Sequence, residues 1–121
     1  MTAEVAVSAH RSAWRHLADD LVARERGVEN GRMMSSEAVT LAGKVFVFHT
    51  TKGRFEGLGL RLGRDYDVEA LKLVTWEYLA PFKSKPPMKD WILVGIEHRD
   101  RWPELAAIAL ERMRAGKPSK K

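Results

Sequence analysis

The chain contains no cysteine, which excludes a disulfide framework, a thiolate zinc site and a cysteine nucleophile, and fits a reducing cytoplasm. It has no stretch approaching the roughly 18 apolar residues of a membrane span. Residues Met1 to Ala9 lack the basic start and long apolar run of an export signal, so a cytoplasmic protein without membrane attachment is expected. Internal repeats and low-complexity core segments are also missing.

The chain itself is 121 residues, 45% apolar and 31% charged, a size and balance suited to one domain with one core. Its net charge of +5 invites a nucleic-acid reading. The distribution weakens that reading, because Lys117, Lys120 and Lys121 cluster in the final Gly-Lys-Pro-Ser-Lys-Lys. A domain over residues 1–116 followed by a basic, solvated tail over 117–121 is the expectation.

Trp14, Leu17, Leu21 and Val22 recur at helical spacing with His10, which predicts an amphipathic helix from about Ser8 to Arg26, closed by Gly27. Val28 to Gly31 reads as a polar link. Strands are expected at Arg32–Met34, Ala38–Leu41, Lys44–His49 and Gly57–Leu62, with hairpin turns at Ser35-Ser36, Ala42-Gly43 and Thr51–Gly53. Val45-Phe46-Val47-Phe48 is apolar throughout, the pattern of a central strand covered on both faces. Leu58, Leu60 and Leu62 alternate with glycines and Arg61, so that strand buries one face, and its glycines point to a bulge or a close backbone approach.

Acidic residues open a short helix over Asp65–Leu73, and Trp76–Ala80 is a short strand or an irregular segment. Pro81 to Pro87 is a loop, because its prolines deny ladder hydrogen bonds. Trp91–Ile96 is a strand, and Asp100 is expected to cap a last helix with Pro103 in its first turn and Trp102, Leu105, Ile108, Ala109 and Met113 on its apolar stripe. Hairpin strands framed by helices argue for an α+β two-layer sandwich with an antiparallel sheet.

Met33-Met34, the hairpin around Gly43, the Leu58–Gly63 strand and above all Pro87-Met88-Lys89-Asp90-Trp91-Ile92-Leu93-Val94 together resemble the N-terminal domain of the TfoX competence regulators, over roughly Arg11 to Ala115. The spacing from Trp91 into the last helix also suits the related YjbR family. Where TfoX-like chains carry an aromatic residue and paired glycines after the first methionine, this one has Met34-Ser35-Ser36. The resemblance implies an α-β(3)-α-β(2)-α order, a two-layer arrangement shared with type III secretion chaperones, and no catalytic residue or cofactor. It brings no competence role, since the sequence stops where the second domain of such regulators would begin.

Candidate sites are few. His10 and His16, six apart, fall on different helix faces, and His49 and His98 sit at strand ends, so all four are read as surface or capping residues and not as metal ligands. Ser35-Ser36 lacks a nucleophile elbow, and Gly57, Gly59 and Gly63 depart from the dinucleotide fingerprint. Lys83, Lys85 and Lys89 lie between Trp76, Phe82 and Trp91, an interleaving of cations and rings that single-stranded nucleic-acid binders use. Core anchoring by the tryptophans is the stronger reading of the same residues.

The expected function is a non-catalytic binding or regulatory module, without cofactor or metal. Its candidate partner contact is Lys83, Lys85, Lys89 and Trp91. The partner is an unidentified protein or a second copy, since large apolar groups on both sheet faces favour self-association. The alternative is a nucleic-acid accessory protein using the same loop and the tail.

Overall fold

The computed structural model describes residues 3–33, 36–50, 57–63, 65–79 and 88–115. Helix α1 spans Ala3–Arg24, and strands β1 (Val28–Met33), β2 (Ser36–Leu41), β3 (Lys44–Thr50) and β4 (Gly57–Arg61) follow. A 3-10 turn at Val68–Leu71 leads to β5 (Trp76–Leu79), β6 (Met88–Gly95), a second 3-10 segment (Ile96–Arg101) and helix α2 (Trp102–Arg114). The six strands form one antiparallel sheet in the order β1-β2-β3-β4-β6-β5, so the last strand inserts beside β4 and leaves β5 at the edge. The protein is therefore α+β, as expected.

Both helices lie on one face of the sheet. Trp14, Leu17, Ala18 and Leu21 of α1 and Trp102, Leu105, Ala106, Ala109 and Leu110 of α2 share a buried cluster with Val39, Phe46, Val47, Leu58, Leu60, Ile92 and Val94. Spacings of three and four residues put each set on a single helix stripe, which is why these helices form only against the sheet. On the opposite face Ala38, Phe48, Leu79, Trp91 and Leu93 make a second buried cluster. The expectation that β3 is covered on both faces is met by a bulge. Val39 pairs with Val47 and Thr40 with Val45, so Phe46 is the extra residue, and Phe46 and Val47 both enter the helix-side core.

The glycines of β4 serve close approaches. A Cβ on Gly59 would enter the ring of Phe48, and one on Gly57 would meet the carbonyl oxygen of Val94 on the neighbouring strand. At the β2–β3 hairpin, Ala42 and Gly43 take φ of 52° and 83°, the two left-handed residues of a tight primed turn.

Several boundaries differ from the sequence reading. Val28–Gly31 is not a link but the first part of β1, which pairs with β2 along its length. An edge strand that buries Val28 at its start tolerates the exposed, polar Glu29 and Asn30 that made it look like a loop. Four strands precede the first short helical element, as the residue patterns placed them and where the family resemblance implied three, and that element is a single 3-10 turn and not a helix over Asp65–Leu73. Helix α1 begins at Ala3 and not near Ser8. Asp100 does not cap α2: Arg101 holds that position without a side-chain bond, because the preceding 3-10 segment already supplies the Arg99 carbonyl to the Trp102 N–H.

Arginines tie the layers together. Arg112 donates to the Leu62 carbonyl at 2.7 Å and to Asp65, with its guanidinium 5.1 Å from the Tyr66 ring centre. Arg114 joins the end of α2 to Glu25 and to the Arg26 carbonyl, both at 2.9 Å, and Arg101 holds the Leu71 carbonyl at 2.6 Å. Three of the arginines thus hold separate elements of the fold together.

Candidate functional site: a cationic cleft under the first helix

Two turns of α1 and the ends of three strands enclose a cleft of about 260 Å³, lined by Arg11, Trp14, Arg15, Arg32, Ser36, Glu37 and His49. Its floor is a row across the sheet. Arg32 of β1 pairs directly with Glu37 of β2, and His49 of β3 lies one step beyond the Ala38–Phe48 pair. On α1, Arg11, Trp14 and Arg15 stand three and four residues apart, so a single helical face overhangs that row.

Trp14 is the keystone of the arrangement. Its indole Nε1 donates to Glu37 Oε1 at 3.0 Å, and its ring stacks on His49 with centroids 5.5 Å apart and planes 9° from parallel. His49 also meets Trp102 edge-on at 6.3 Å, which locks the imidazole between two tryptophans. Arg15 donates to the same Glu37 oxygen at 3.0 Å and reaches Asp19 on the next turn at 3.4 Å. The Trp14 bond holds the Glu37 carboxyl below its ordinary value, against a lesser opposing effect of burial, and Arg15, His49 and Arg32 add to the lowering. Glu37 is thus a carboxylate acting as internal counter-ion. Its side chain remains 53% exposed.

The lining carries three guanidinium groups and one carboxylate. Guanidinium groups offer planar forks of donors matched to oxyanions and are weakly hydrated, so their convergence makes an anion receptor. Catalysis asks for more: an acid and a base in complementary states, or a nucleophile beside a base. Here the one carboxylate is committed to Trp14 and Arg15.

The residues named from sequence are distributed differently. Trp91 is 6% exposed and packs against Phe48 at 5.4 Å between ring centres, in the second cluster. It serves as a core anchor and presents no free ring for a base. Lys83 and Lys85 lie outside the described residues, and Lys89 is placed only as a backbone position of β6. Trp76 is half-buried against Tyr78. His16 is exposed, whereas His49 is 7% exposed and corrects the reading of it as a surface or capping residue. His98 does act as a cap, its Nε2 accepting the backbone N–H groups of Val74 and Thr75, both at 3.1 Å. Among the described residues no group of three or more His, Cys, Asp or Glu stands ready to hold a metal ion, and no helix is long and apolar enough to cross a membrane.

No family model, curated protein or solved structure matches this chain. The geometry of the cleft is accordingly what a functional reading has to stand on.

The cleft was not legible as a unit. Arg11 and Arg15 read as the solvent face of an amphipathic helix, Arg32 as the first residue of a strand, and Glu37 carries no signal of its own. The available signal was Arg-x-x-Trp-Arg on one helix followed by an Arg and a Glu flanking a turn, which becomes a site only when the sheet register is known.

Proposed function

We propose that this protein is a non-catalytic binding module that recognises an anionic group through the cleft of Arg11, Arg15, Arg32 and His49. The observation that carries this is the convergence of three arginines from α1 and β1 on one cleft whose lining holds a single carboxylate. A module built like the TfoX N-terminal domain, with the two-layer plan of secretion chaperones, suits the same reading, because such a domain works by contact. The lysines Lys83, Lys85 and Lys89 stay in the proposal as a separate candidate partner contact, with Trp91 as the core anchor of the strand that carries Lys89.

The test is a thermal-shift survey of carboxylates, sulfate esters and phosphate esters against the wild type and an Arg11→Gln/Arg32→Gln double variant. A ligand bound only by the folded state stabilises it by about 2.7 kcal/mol at one hundred times its Kd, well within detection. At least one anion class should raise the melting temperature of the wild type and lose that effect in the variant. Absence of any anion-dependent shift would refute the reading.

A further inference from the structure

We propose that the anion the cleft is built for is a phosphomonoester dianion, with Glu37 as its built-in competitor. This rests on the anion-receptor reading above and adds the ligand class. Charge is the first ground. Three arginines and one glutamate line the cleft, and Arg15 is shared between Glu37 and Asp19, so the lining is cationic without being matched charge for charge. A phosphomonoester carries about −1.5 to −2 at neutral pH and a carboxylate or a phosphodiester only −1, so the monoester gains the most from such a lining.

Size and donor geometry point the same way. About 260 Å³ holds one tetrahedral oxyanion head and its ester substituent, not a run of nucleotides. The donors arrive from different directions: Arg11 and Arg15 from the helix above, Arg32 and the Ser36 hydroxyl from the β1–β2 hairpin, His49 from the floor. Three phosphoryl oxygens take such a spread of donors, whereas a planar carboxylate takes two.

Glu37 supplies the regulatory side. Its Oε1 accepts from both Trp14 and Arg15, so the carboxylate occupies donors that an incoming phosphoryl oxygen needs. Binding displaces it from Arg15 while the Trp14 indole retains it, which sets a threshold that weak anions do not pass.

Isothermal titration at pH about 7.5, where a phosphomonoester with a second pKa of about 6 is mainly dianionic, tests this with phenyl phosphate and its isosteric monoanion phenyl sulfate. Phenyl phosphate should bind at least about tenfold more tightly, a difference of ~1.4 kcal/mol. Glu37→Gln keeps an acceptor for Trp14 and removes the competing charge, and should tighten phenyl phosphate several-fold. Arg32→Gln should weaken it by at least a factor of about ten. Circular dichroism of each variant establishes that it is folded.

Equal affinity for the two esters, or tighter binding of phenyl sulfate or benzoate, overturns the phosphomonoester assignment and leaves the anion receptor standing. Failure of all three probes overturns both. Binding of a single-stranded oligonucleotide without phenyl phosphate replaces the assignment with nucleic-acid docking. A pentapeptide with a central phosphoserine separates the sources: tighter binding than phenyl phosphate supports the assignment with a modified protein as ligand, and equal binding supports it with a small phosphate ester.

Discussion

At the residue scale, single side chains decide more here than composition suggests. Glu37 is the example, because its carboxyl is held below its ordinary value chiefly by the Trp14 N–H, with Arg15, His49 and Arg32 in support. A depressed carboxyl contributes stability that is fully present above the unfolded carboxylate range and is lost as pH falls through the folded value. Wild type should therefore exceed Glu37→Gln in stability at neutral pH, and the gap should narrow as the pH falls below the ordinary carboxylate range. Urea titrations of both proteins across that range measure it. Ala42 is a second case. Its φ of 52° is a conformation that costs an L-residue about 1–2 kcal/mol, and the first position of this turn type favours Asn. Ala42→Asn should raise the unfolding free energy by about 1 kcal/mol with no change in the denaturant slope. The turn was readable from Ala42-Gly43, but the strain at Ala42 was not, since the sequence does not print dihedral angles.

At the element scale, apolar content determined what was legible. The helix stripes, β3, β4 and β6 announced themselves because each buries alternating or continuous apolar residues in a shared core. The first part of β1 hid, because an edge strand that opens with Glu29 and Asn30 has the composition of a loop, and only its Arg32–Met33 end read as strand. The glycine-rich β4 announced a close approach without saying to what. The answer is the Phe48 ring above Gly59, so Gly59→Ala should cost about 1–3 kcal/mol through overpacking. Pairing it with Phe48→Leu should recover part of that loss in a double-mutant cycle, and full additivity would show that the two do not meet. The β5 edge depends on a different device, the His98 imidazole that accepts the Val74 and Thr75 N–H groups. His98→Ala should cost about 1 kcal/mol, with faster hydrogen exchange at those two amides and along β5, and leave β1–β3 protection unchanged.

At the scale of the whole molecule, one extra residue aligns the site with the core. Without the bulge at Phe46, strict alternation from Val45 would turn His49 to the far face and Phe48 to the helices. With it, His49 joins Arg32 and Glu37 beneath α1, and Phe48 joins Trp91 in the second cluster. A bulge has no composition of its own, which is why the two-faced burial of β3 could be read and the cleft could not. The second cluster also changes the case for self-association. That case required apolar side chains exposed on the far face, yet Phe48, Leu79, Trp91 and Leu93 are buried within one chain, and Val74 is the exposed large apolar residue among those described. Patches that small do not drive a stable dimer. The protein alone should therefore sediment as a monomer of 13.7 kDa, with a mass independent of concentration and of salt. A concentration-dependent rise toward twice that mass would instead show that a second copy covers a surface other than the two buried clusters. If the rise vanished in the Arg11→Gln/Arg32→Gln variant, that surface would be the cleft.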